Sequence, residues 1–294
     1  MRADGTRSLR DLPAFSRSPW QMSYGERTVI EGMLAMLKPQ LSIEIGRAEG
    51  GSLRRIAEHS GEVISFDIVD PSPELSELSN VTTLTGDSHV LLREALDRIA
   101  DDGQLVDFVL VDGDHSAAGV RSDMIDLLNS PAVTNTVILA HDTLNEEVRQ
   151  GLAEVDYDAS EKVAWVDLDF IPGYVARLPE RLGECWGGIG LVVVDSSGAF
   201  RSGGPRRGED LFEQAQLIWP AAQWIRREGA ASAELLASIT LVADSSLTEA
   251  QHEVSVLTED LERHRAWLRG IEHSVSWRLT SPLRTLKRRL RTHG

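Results

Sequence analysis

The sequence is poor in cysteine and in basic residues. Its 294 residues include one cysteine, Cys185, and 46 acidic residues against 30 Lys and Arg, for a net charge of −16. A single cysteine excludes a disulfide within the chain and a cysteine-rich metal site, as is usual for proteins of a reducing cytoplasm. The acidic balance argues against nucleic acid as the main partner.

Long apolar runs are also missing. Residues 1–18 have no apolar core of the kind found in signal peptides. The longest unbroken apolar stretch, Trp186–Val194, is too short to span a bilayer. We therefore expect a cytoplasmic protein built from one sizeable α/β domain and an appendage.

What the sequence does contain is an alternation of strand-like and helix-like segments, which predicts a Rossmann-like, doubly wound α/β sheet. The predicted strands are Leu41–Ile45, Val63–Asp67, Val81–Thr85, Val106–Val111 and Val137–Ala140. The predicted helices are Tyr24–Leu37, Ser52–His59, His89–Ile99, Ala117–Leu128 and Leu144–Glu154. Two more strands, Lys162–Phe170 and Ile189–Asp195, have no clear helix between them. We predict that they form an antiparallel hairpin at one edge of a seven-stranded sheet.

The chain divides into five predicted segments. They are an N-terminal arm at residues 1–21, a catalytic domain at 22–195, a Gly-, Ser-, Arg- and Pro-rich linker at 196–208, a helical or coiled-coil extension at 209–277 and a basic amphipathic tail at 278–294. The extension carries apolar residues every seven positions from Leu247 to Val275, which predicts a coiled coil and a homo-oligomer. The alternative is a helix that lies back on the catalytic domain.

In the tail, the leucines are predicted to lie on one helical face, with six basic residues around them. The tail contains no acidic residue. Such a segment is suited to an anionic membrane surface, so we predict peripheral membrane contact. A tail that stays in solvent, or that pairs with the acidic body, is the alternative.

The most informative stretch is Glu44–Ser52, where a strand is followed by glycines and by the start of a helix. Glycines allow the backbone to approach a ligand closely, and the helix start offers free N–H groups. The dinucleotide pattern G-x-G-x-x-G is absent, because position 48 is alanine. Glu44 repels a pyrophosphate but suits a cationic ligand with a free amino group. These features favour S-adenosylmethionine and disfavour a nicotinamide dehydrogenase.

Polar side chains follow the next two strands at the carboxyl edge of the sheet, where ligands of such sheets bind. Asp67 ends the second strand and is placed to accept hydrogen bonds from both hydroxyls of a ribose. Asp87 and Ser88 follow the third strand and are placed to bind an adenine amine. Alternatively, Asp67 caps a loop, and Asp87 or Ser88 simply starts the next helix.

Three motifs, Ile43–Gly46, Asp112–Ser116 and His141–Thr143, resemble those of the class I S-adenosylmethionine-dependent methyltransferases. More narrowly, residues 22–195 resemble the group related to cephalosporin hydroxylase-like proteins and macrolide-sugar O-methyltransferases. The resemblance implies the class I methyltransferase fold. It also implies that the methionine moiety is held by Glu44, Gly46, Gly50, Gly51 and Ser52, the ribose by Asp67, and the adenine by Asp87 with Ser88.

The fourth and fifth predicted strands are expected to be neighbours, which brings Asp112, His115 and His141 together as catalytic candidates. O-methylation fits this cluster, because a sugar hydroxyl is a poor nucleophile that needs proton removal or metal polarisation. Either histidine is a candidate general base, and we favour His115.

The resemblance also implies a metal site. In related metal-dependent O-methyltransferases, acids after the fourth and fifth strands bind magnesium. Carried over, the candidate ligands are Asp112 and Asp142, for Mg²⁺ or another divalent metal. His141 departs from the pattern, because imidazole suits zinc, manganese or iron better than magnesium. The alternative makes Asp112 a structural acid and Asp142 the cap of the helix from Leu144.

We expect the acceptor to be a sugar, a glycan or a glycolipid precursor. Phe170, Tyr174, Arg177 and Trp186 are predicted to line its pocket, with ordinary packing as the alternative. Residues 274–284 resemble a segment that ends many bacterial polysaccharide-biosynthesis enzymes, which implies work at the inner face of the membrane. Two other functions stay open: a hydroxylase-like, oxygenase-associated protein and a non-catalytic cofactor-binding scaffold.

Overall fold

The computed structural model describes residues 20–199, 215–227, 255–256, 258–259, 262–263 and 265. The rest of the predicted N-terminal arm, most of the linker and heptad region, and the basic tail lie outside the described residues. The chain consists of two compact units, residues 1–229 and residues 230–294. Within the described residues, no helix has the length and apolar character needed to cross a membrane.

A seven-stranded sheet forms the centre of the first unit. Its strands are β1 Leu41–Ile45, β2 Glu62–Asp67, β3 Val81–Thr85, β4 Phe108–Val111, β5 Asn135–His141, β6 Val163–Ile171 and β9 Ile189–Asp195. The strand order is β3-β2-β1-β4-β5-β9-β6. Strands β1 to β5 run parallel, and β9 lies antiparallel between β5 and β6. The predicted seven-stranded sheet with an antiparallel hairpin at one edge is confirmed.

A separate two-stranded ribbon pairs β7 (Tyr174–Val175) with β8 (Cys185–Trp186), and a short 3₁₀ turn at Pro179–Arg181 lies between them. The α-helices between residues 20 and 199 are α1 Tyr24–Leu37, α2 Gly51–His59, α3 Pro73–Ser76, α4 Ser88–Asp101, α5 Ala117–Asn129 and α6 Glu146–Ala153. Helices α1, α2, α4 and α5 lie where the sequence predicts them, within two residues at each end.

Three predicted starts differ from the structure by two residues. β5 begins at Asn135 and not at Val137, and the other two differ for a local reason. The helix predicted from Leu144 begins at Glu146, because the Asn145 side chain accepts hydrogen bonds from the first turn and caps α6. The strand predicted from Val106 begins at Phe108. The backbone of Val106 instead bonds to a loop carbonyl before β5.

Apolar side chains cover both faces of the sheet, which explains why its central strands read as unbroken apolar runs. Along β4, Phe108 and Leu110 pack into one cluster with Ile30 of α1. The alternate residues Val109 and Val111 pack into the other cluster. Burial of each such side chain stabilises the fold by roughly 1.5–3 kcal/mol, so the carboxyl ends of these strands are rigid supports for the loops that follow.

Residues 215–227 are helical and belong to the same compact unit, although the prediction ended the catalytic domain with β9. Trp219 Nε1 donates to the Leu144 carbonyl at 3.0 Å. Arg226 pairs with Glu146 at 2.6 Å. The domain therefore extends beyond its predicted boundary, and the added helix supports the loop between β5 and α6.

Candidate active site

The loops after β1 and β4 contact each other at the carboxyl edge of the sheet. Gly46 starts the β1 loop with a φ of 87°, and Ala48 and Gly50 follow at 42° and 77°. A Cβ atom on Gly46 would lie 2.1 Å from the Asp112 carbonyl oxygen. Only glycine therefore allows this contact, and the predicted glycine turn is a tight bend against the loop that carries Asp112.

Glu44 lies beneath this turn. Its side chain is fully buried, and its carboxyl oxygens accept from Ser52 Oγ at 2.6 Å and from Ser65 Oγ at 2.9 Å. Burial raises the pKa of Glu44 to about 8, although the two hydroxyls act in the opposite direction. In this structure Glu44 supports Ser52, which lines the cavity above the turn. The predicted contact of Glu44 with the methionine moiety stays a prediction.

Asp67 holds the glycine turn from the end of β2. Its Oδ2 accepts from the backbone N–H groups of Arg47 and Ala48, both at 2.9 Å, and its Oδ1 accepts from Val69 N–H at 2.8 Å. The loop-capping alternative therefore describes Asp67 in this structure, and its contact with a ribose stays a prediction.

Arg47 is a residue that the sequence reasoning missed. It stands within the glycine turn, yet its side chain is buried. Its guanidinium donates to the carbonyl oxygens of Ser65, Val69 and Leu84. Because these carbonyls belong to β2, to the loop after it and to β3, Arg47 ties the turn to two neighbouring strand ends. No motif marks an arginine at this position as buried, so only the contacts show its role.

Asp87 and Ser88 are both engaged within the protein. Asp87 caps α4 by accepting from His89 N–H at 3.0 Å. Ser88 Oγ donates to Asp123 at 3.3 Å, and His89 Nδ1 lies 3.1 Å from the same carboxylate. These contacts match the helix-start alternative, and the predicted adenine contact remains untested.

The structure brings the predicted reacting residues together. His115 Nε2 lies 2.9 Å from Asp142 Oδ2 and 3.8 Å from Asp112 Oδ1. His141 Nδ1 lies 3.0 Å from Asp112 Oδ1. Asp142 has a positive φ of 56°, and its other oxygen accepts from the backbone N–H of Gly187. Asp142 is therefore held towards the centre and does not cap α6.

The two histidines have different surroundings. His115 is 42% exposed, whereas His141 is 5% exposed. Burial acts against a charge on His141, but Asp112, Asp142 and Glu26 together raise its pKa well above the usual value. A hydrogen bond to Asp142 raises the pKa of His115 as well. His141 is thus enclosed among carboxylates that favour its charged form, and His115 is the more exposed of the two histidines.

Glu26 is a second residue that the sequence reasoning missed. Its carboxylate is buried, accepts from Gly188 N–H at 2.7 Å and lies 3.6 Å from His141 Nε2. Burial opposes its charge, but His141 and the backbone amides of Gly188 and Ser23 lower the pKa of Glu26. The sequence does carry one signal here. Ser23 and Glu26 form a capping box at the start of α1, which predicts the helix start and not the contact with His141.

Three side chains at the centre are spaced to hold a metal ion. Asp112, His115 and Asp142 each offer a ligand atom, and these atoms lie within 4.8 Å of one another. Two carboxylates and one imidazole suit manganese, iron or zinc better than magnesium, which prefers oxygen ligands. The imidazole in this set is His115. His141 instead competes with a metal for Asp112 Oδ1.

Two cavities open onto this centre. The smaller, about 140 Å³, lies over the glycine turn, and its wall includes Gly46, Gly51 and Ser52 of the predicted cofactor residues. The larger, about 670 Å³, extends to the β7–β8 ribbon. Residues that line both cavities are Trp20, Gln21, Met22, His115, His141 and Asp142. The segment just before α1, predicted as the end of a polar arm, is therefore part of the site.

The larger cavity contains two of the four residues predicted for an acceptor pocket, Tyr174 and Trp186. Phe170 packs on the core and Arg177 is exposed, and neither lines this cavity. Arg181, which the sequence reasoning missed, does line it. No sequence signal separates these two arginines, because the 3₁₀ turn between β7 and β8 decides which of them faces the cavity.

Comparison with known proteins shows a match between residues 43–143 and a protein family described as a methyltransferase domain. No curated protein sequence matches the chain. Similar solved structures include an O-methyltransferase from Bacillus cereus in complex with S-adenosylhomocysteine (17% identity, 58% of this chain and 82% of that chain, TM-score 0.42). They also include TomG from Streptomyces achromogenes (14%, 59% and 81%, 0.43). A third is MycE of mycinamycin biosynthesis, in complex with magnesium, S-adenosylhomocysteine and mycinamycin VI (18%, 69% and 57%, 0.42).

The matched region can be placed on the sheet. The matched residues begin in β1, contain the glycine turn, and end directly after β5, so they include both the glycine turn and the predicted reacting residues. The mostly parallel sheet, with an antiparallel strand next to one edge, is the arrangement that the resemblance noted in the sequence implies, and ligands of such sheets bind at the carboxyl ends of the strands. Residues 43–143 thus match a methyltransferase domain, and the sheet that carries them has the predicted doubly wound, seven-stranded topology.

Proposed function

We propose that this enzyme transfers a methyl group from S-adenosylmethionine to a hydroxyl of a sugar or glycan-like acceptor, with His115 as the general base. The observation that carries the proposal is the common wall of the two cavities, formed in part by His115, His141 and Asp142. A donor over the glycine turn and an acceptor beside the β7–β8 ribbon would meet at this wall.

The donor side is built by the glycine turn and the start of α2. S-adenosylmethionine supplies a methyl group already activated on a sulfonium, so the protein has to align the acceptor and assist its deprotonation. Gly46 and Gly51 allow close approach of the backbone, and the α2 N-terminus presents free N–H groups. Ser52 is oriented by its hydrogen bond to Glu44.

His115 is placed to take the proton from the acceptor hydroxyl. It is partly exposed, lines both cavities and is oriented by Asp142 at 2.9 Å. Its ring also meets the Trp186 ring edge to face, at 5.8 Å between centroids. His141 serves a different purpose in this proposal. It sits between Asp112 and Glu26 and neutralises part of the negative charge around the reacting atoms.

A metal ion offers a second route within the same reaction class. Asp112, His115 and Asp142 would hold it, and it would lower the pKa of a bound hydroxyl. In that case the His115 ring would be a metal ligand and would not serve as the general base. A chelator separates the two routes, because only the metal route loses activity when the ion is removed.

The sugar class of acceptor is supported by the aromatic rings along the larger cavity. Trp20, Tyr174 and Trp186 line it, and such rings present flat apolar faces with few polar groups. The resemblance of residues 274–284 to a segment of polysaccharide-biosynthesis enzymes is consistent with a glycolipid precursor. We further propose contact of the tail with the inner face of the membrane and self-association through the heptad region.

The test is incubation of the full chain with labelled S-adenosylmethionine and a host glycolipid extract, with and without chelator. We expect label in the glycan fraction and a product mass shift of one methyl group. A mass shift of an oxygen would favour the oxygenase alternative. Cofactor binding without transfer to any glycan fraction would favour the scaffold and contradict the proposal.

A further inference from the structure

We propose that Arg181 forms an anion-binding subsite of the larger cavity, so that the acceptor carries a carboxylate or a phosphate group in addition to its reacting hydroxyl. This inference rests on the proposed function and narrows its acceptor class. It concerns a residue of the 3₁₀ turn between β7 and β8, which belongs neither to the glycine turn nor to the cluster of Asp112, His115 and Asp142.

The guanidinium of Arg181 is held in place by two neighbours. Its Nε lies 3.0 Å from Glu184 Oε2, and its Cζ lies 4.6 Å from the centroid of the Trp186 ring. Trp186 Nε1 donates to the same Glu184 oxygen at 2.6 Å. The carboxylate therefore fixes both the guanidinium and the indole beneath it, which reduces the entropy lost when Arg181 binds a ligand.

One side of this guanidinium is left for a ligand. Arg181 is 48% exposed and lines the larger cavity. Its Nη atoms have no hydrogen bond or ion pair to the part of the chain that the structure describes. A guanidinium offers paired N–H groups in one plane, which match the two oxygens of a carboxylate or a phosphate.

The charges at the reacting end of the cavity do not oppose such a ligand. Both carboxylates that line the cavity there face an imidazole: Glu26 faces His141, and Asp142 faces His115. Each of these carboxylates is thus paired with an imidazole. Arg181 is the one Arg or Lys among the described residues that line the cavity, and its Nη donors are still available. An anionic group on the acceptor is therefore drawn to it.

Trp186 links the two ends. The rings of His115 and Trp186 meet at a steep angle, 5.8 Å between centroids, and Arg181 stacks on the same indole. An acceptor that lies along this indole can place a hydroxyl at His115 and an acidic group at Arg181. The geometry fits a short glycoside with a uronic acid or a phosphorylated sugar, and it gives a neutral glycoside no partner for the guanidinium.

The experiment measures binding and does not require methyl transfer. The full chain, saturated with S-adenosylhomocysteine, is titrated calorimetrically with 4-nitrophenyl glucuronide and with the matched neutral 4-nitrophenyl glucoside. Glucose 6-phosphate and glucose form the second pair, which distinguishes a phosphate from a carboxylate. We expect at least one anionic probe to bind about tenfold more tightly than its neutral partner.

Two variants with the same change of charge locate the effect. Arg181→Gln removes the guanidinium at the cavity, and we expect it to abolish the preference for the anionic probe. Arg177→Gln removes an exposed arginine of the same segment that does not line the cavity, and we expect the preference to remain.

The outcomes separate this inference from the proposed function. Equal binding of anionic and neutral probes, or a preference that survives Arg181→Gln, overturns the subsite and leaves a neutral sugar acceptor in place. Absence of binding for all four probes overturns the subsite together with the sugar acceptor class. Label transfer to the glycolipid extract then shows whether the transferase proposal itself survives.

Discussion

At the scale of single residues, the site is a set of paired charges around two histidines. His141 lies between Asp112 and Glu26, and His115 rests on Asp142. These charge pairs give the two imidazoles different surroundings, although both histidines lie at the carboxyl ends of strands in the same sheet. His115 is the more exposed of the two, which is why we propose it as the contact with the acceptor.

His115→Ala is expected to lower kcat by about 10²–10⁴-fold, which is the usual contribution of a general base. Binding of S-adenosylmethionine is expected to stay within about threefold of the parent value, because His115 reaches the donor cavity only at its wall. Calorimetric titration and turnover on the labelled glycan fraction measure both quantities. Unchanged turnover would remove His115 from the mechanism.

The pH profile follows from the raised pKa of His115. The base acts in its neutral form, and the hydrogen bond to Asp142 favours the charged form, so kcat/KM is expected to rise with pH through a pKa above 6.5. A profile that is flat from pH 6 to 9, or that falls over this range, would contradict this assignment.

Glu26→Gln is expected to cost about 3–5 kcal/mol of unfolding free energy, because it leaves the buried charge of His141 without one of its partners. Ser23→Ala is the matched control. It removes only the α1 cap, which costs about 1 kcal/mol. Urea unfolding of both variants measures the difference. Equal losses would mean that Glu26 acts as a cap and no more.

From the raised pKa of Glu44 we expect the free energy of unfolding to change with pH. Its pKa in the folded chain, about 8, lies above the ordinary 4.5, so its contribution is fully present below pH 4.5 and is lost as pH rises through 8. Between these values the parent is expected to lose about 1.4 kcal/mol per pH unit relative to Glu44→Gln. The exposed Glu62, changed to Gln, is the control. Parallel profiles for the parent and Glu44→Gln would refute the raised pKa.

At the scale of elements, the sequence predicts the sheet well, because β4 and its neighbours are buried on both faces and appear as short apolar runs. The start of α6 is missed because it depends on one capping side chain, Asn145. The site is predicted in part. Asp112, His115 and Asp142 follow strand ends and are found together, as the topology requires.

The remaining site residues are not readable from local pattern. Glu26 reaches His141 from α1, and Arg47 turns inward from a loop, so both roles arise from contacts between segments far apart in the chain. Arg181 faces the cavity only because of the turn between β7 and β8. A single sequence holds no signal for such contacts.

We expect one added methyl group at Gly46, in the glycine turn, to have a large effect on stability. Gly46→Ala places a Cβ against the Asp112 carbonyl at a φ of 87°, so we expect a loss of about 3 kcal/mol or more and no measurable cofactor binding. Gly103→Ala is the control, because Gly103 also has a positive φ but open space around its Cβ position, with a cost of about 1–2 kcal/mol. Equal effects of the two changes would mean that the close contact between Gly46 and the Asp112 carbonyl is unimportant.

At the scale of the whole molecule, the helix at 215–227 belongs with the sheet domain, because Trp219 and Arg226 bond to the start of the α6 region. The predicted boundary after β9 follows from a change in composition, and composition does not show that a later helix folds back. The heptad region and the tail keep the roles proposed for them from sequence.

The charge asymmetry between the acidic chain and its basic tail gives a test of membrane contact. We expect the full chain to pellet with anionic liposomes and to stay in solution with neutral ones, and removal of residues 278–294 to abolish the pelleting. The salt dependence of pelleting measures the electrostatic part. Equal pelleting of the full and truncated chains would end the proposal.

The most direct test of the whole account is a crystal structure of the full chain with S-adenosylhomocysteine. The account predicts the nucleoside in the smaller cavity, against Gly46 and the start of α2, with its sulfur directed at the wall that contains His115 and Asp142. A nucleoside bound elsewhere, or one whose sulfur faces away from the larger cavity, would contradict it.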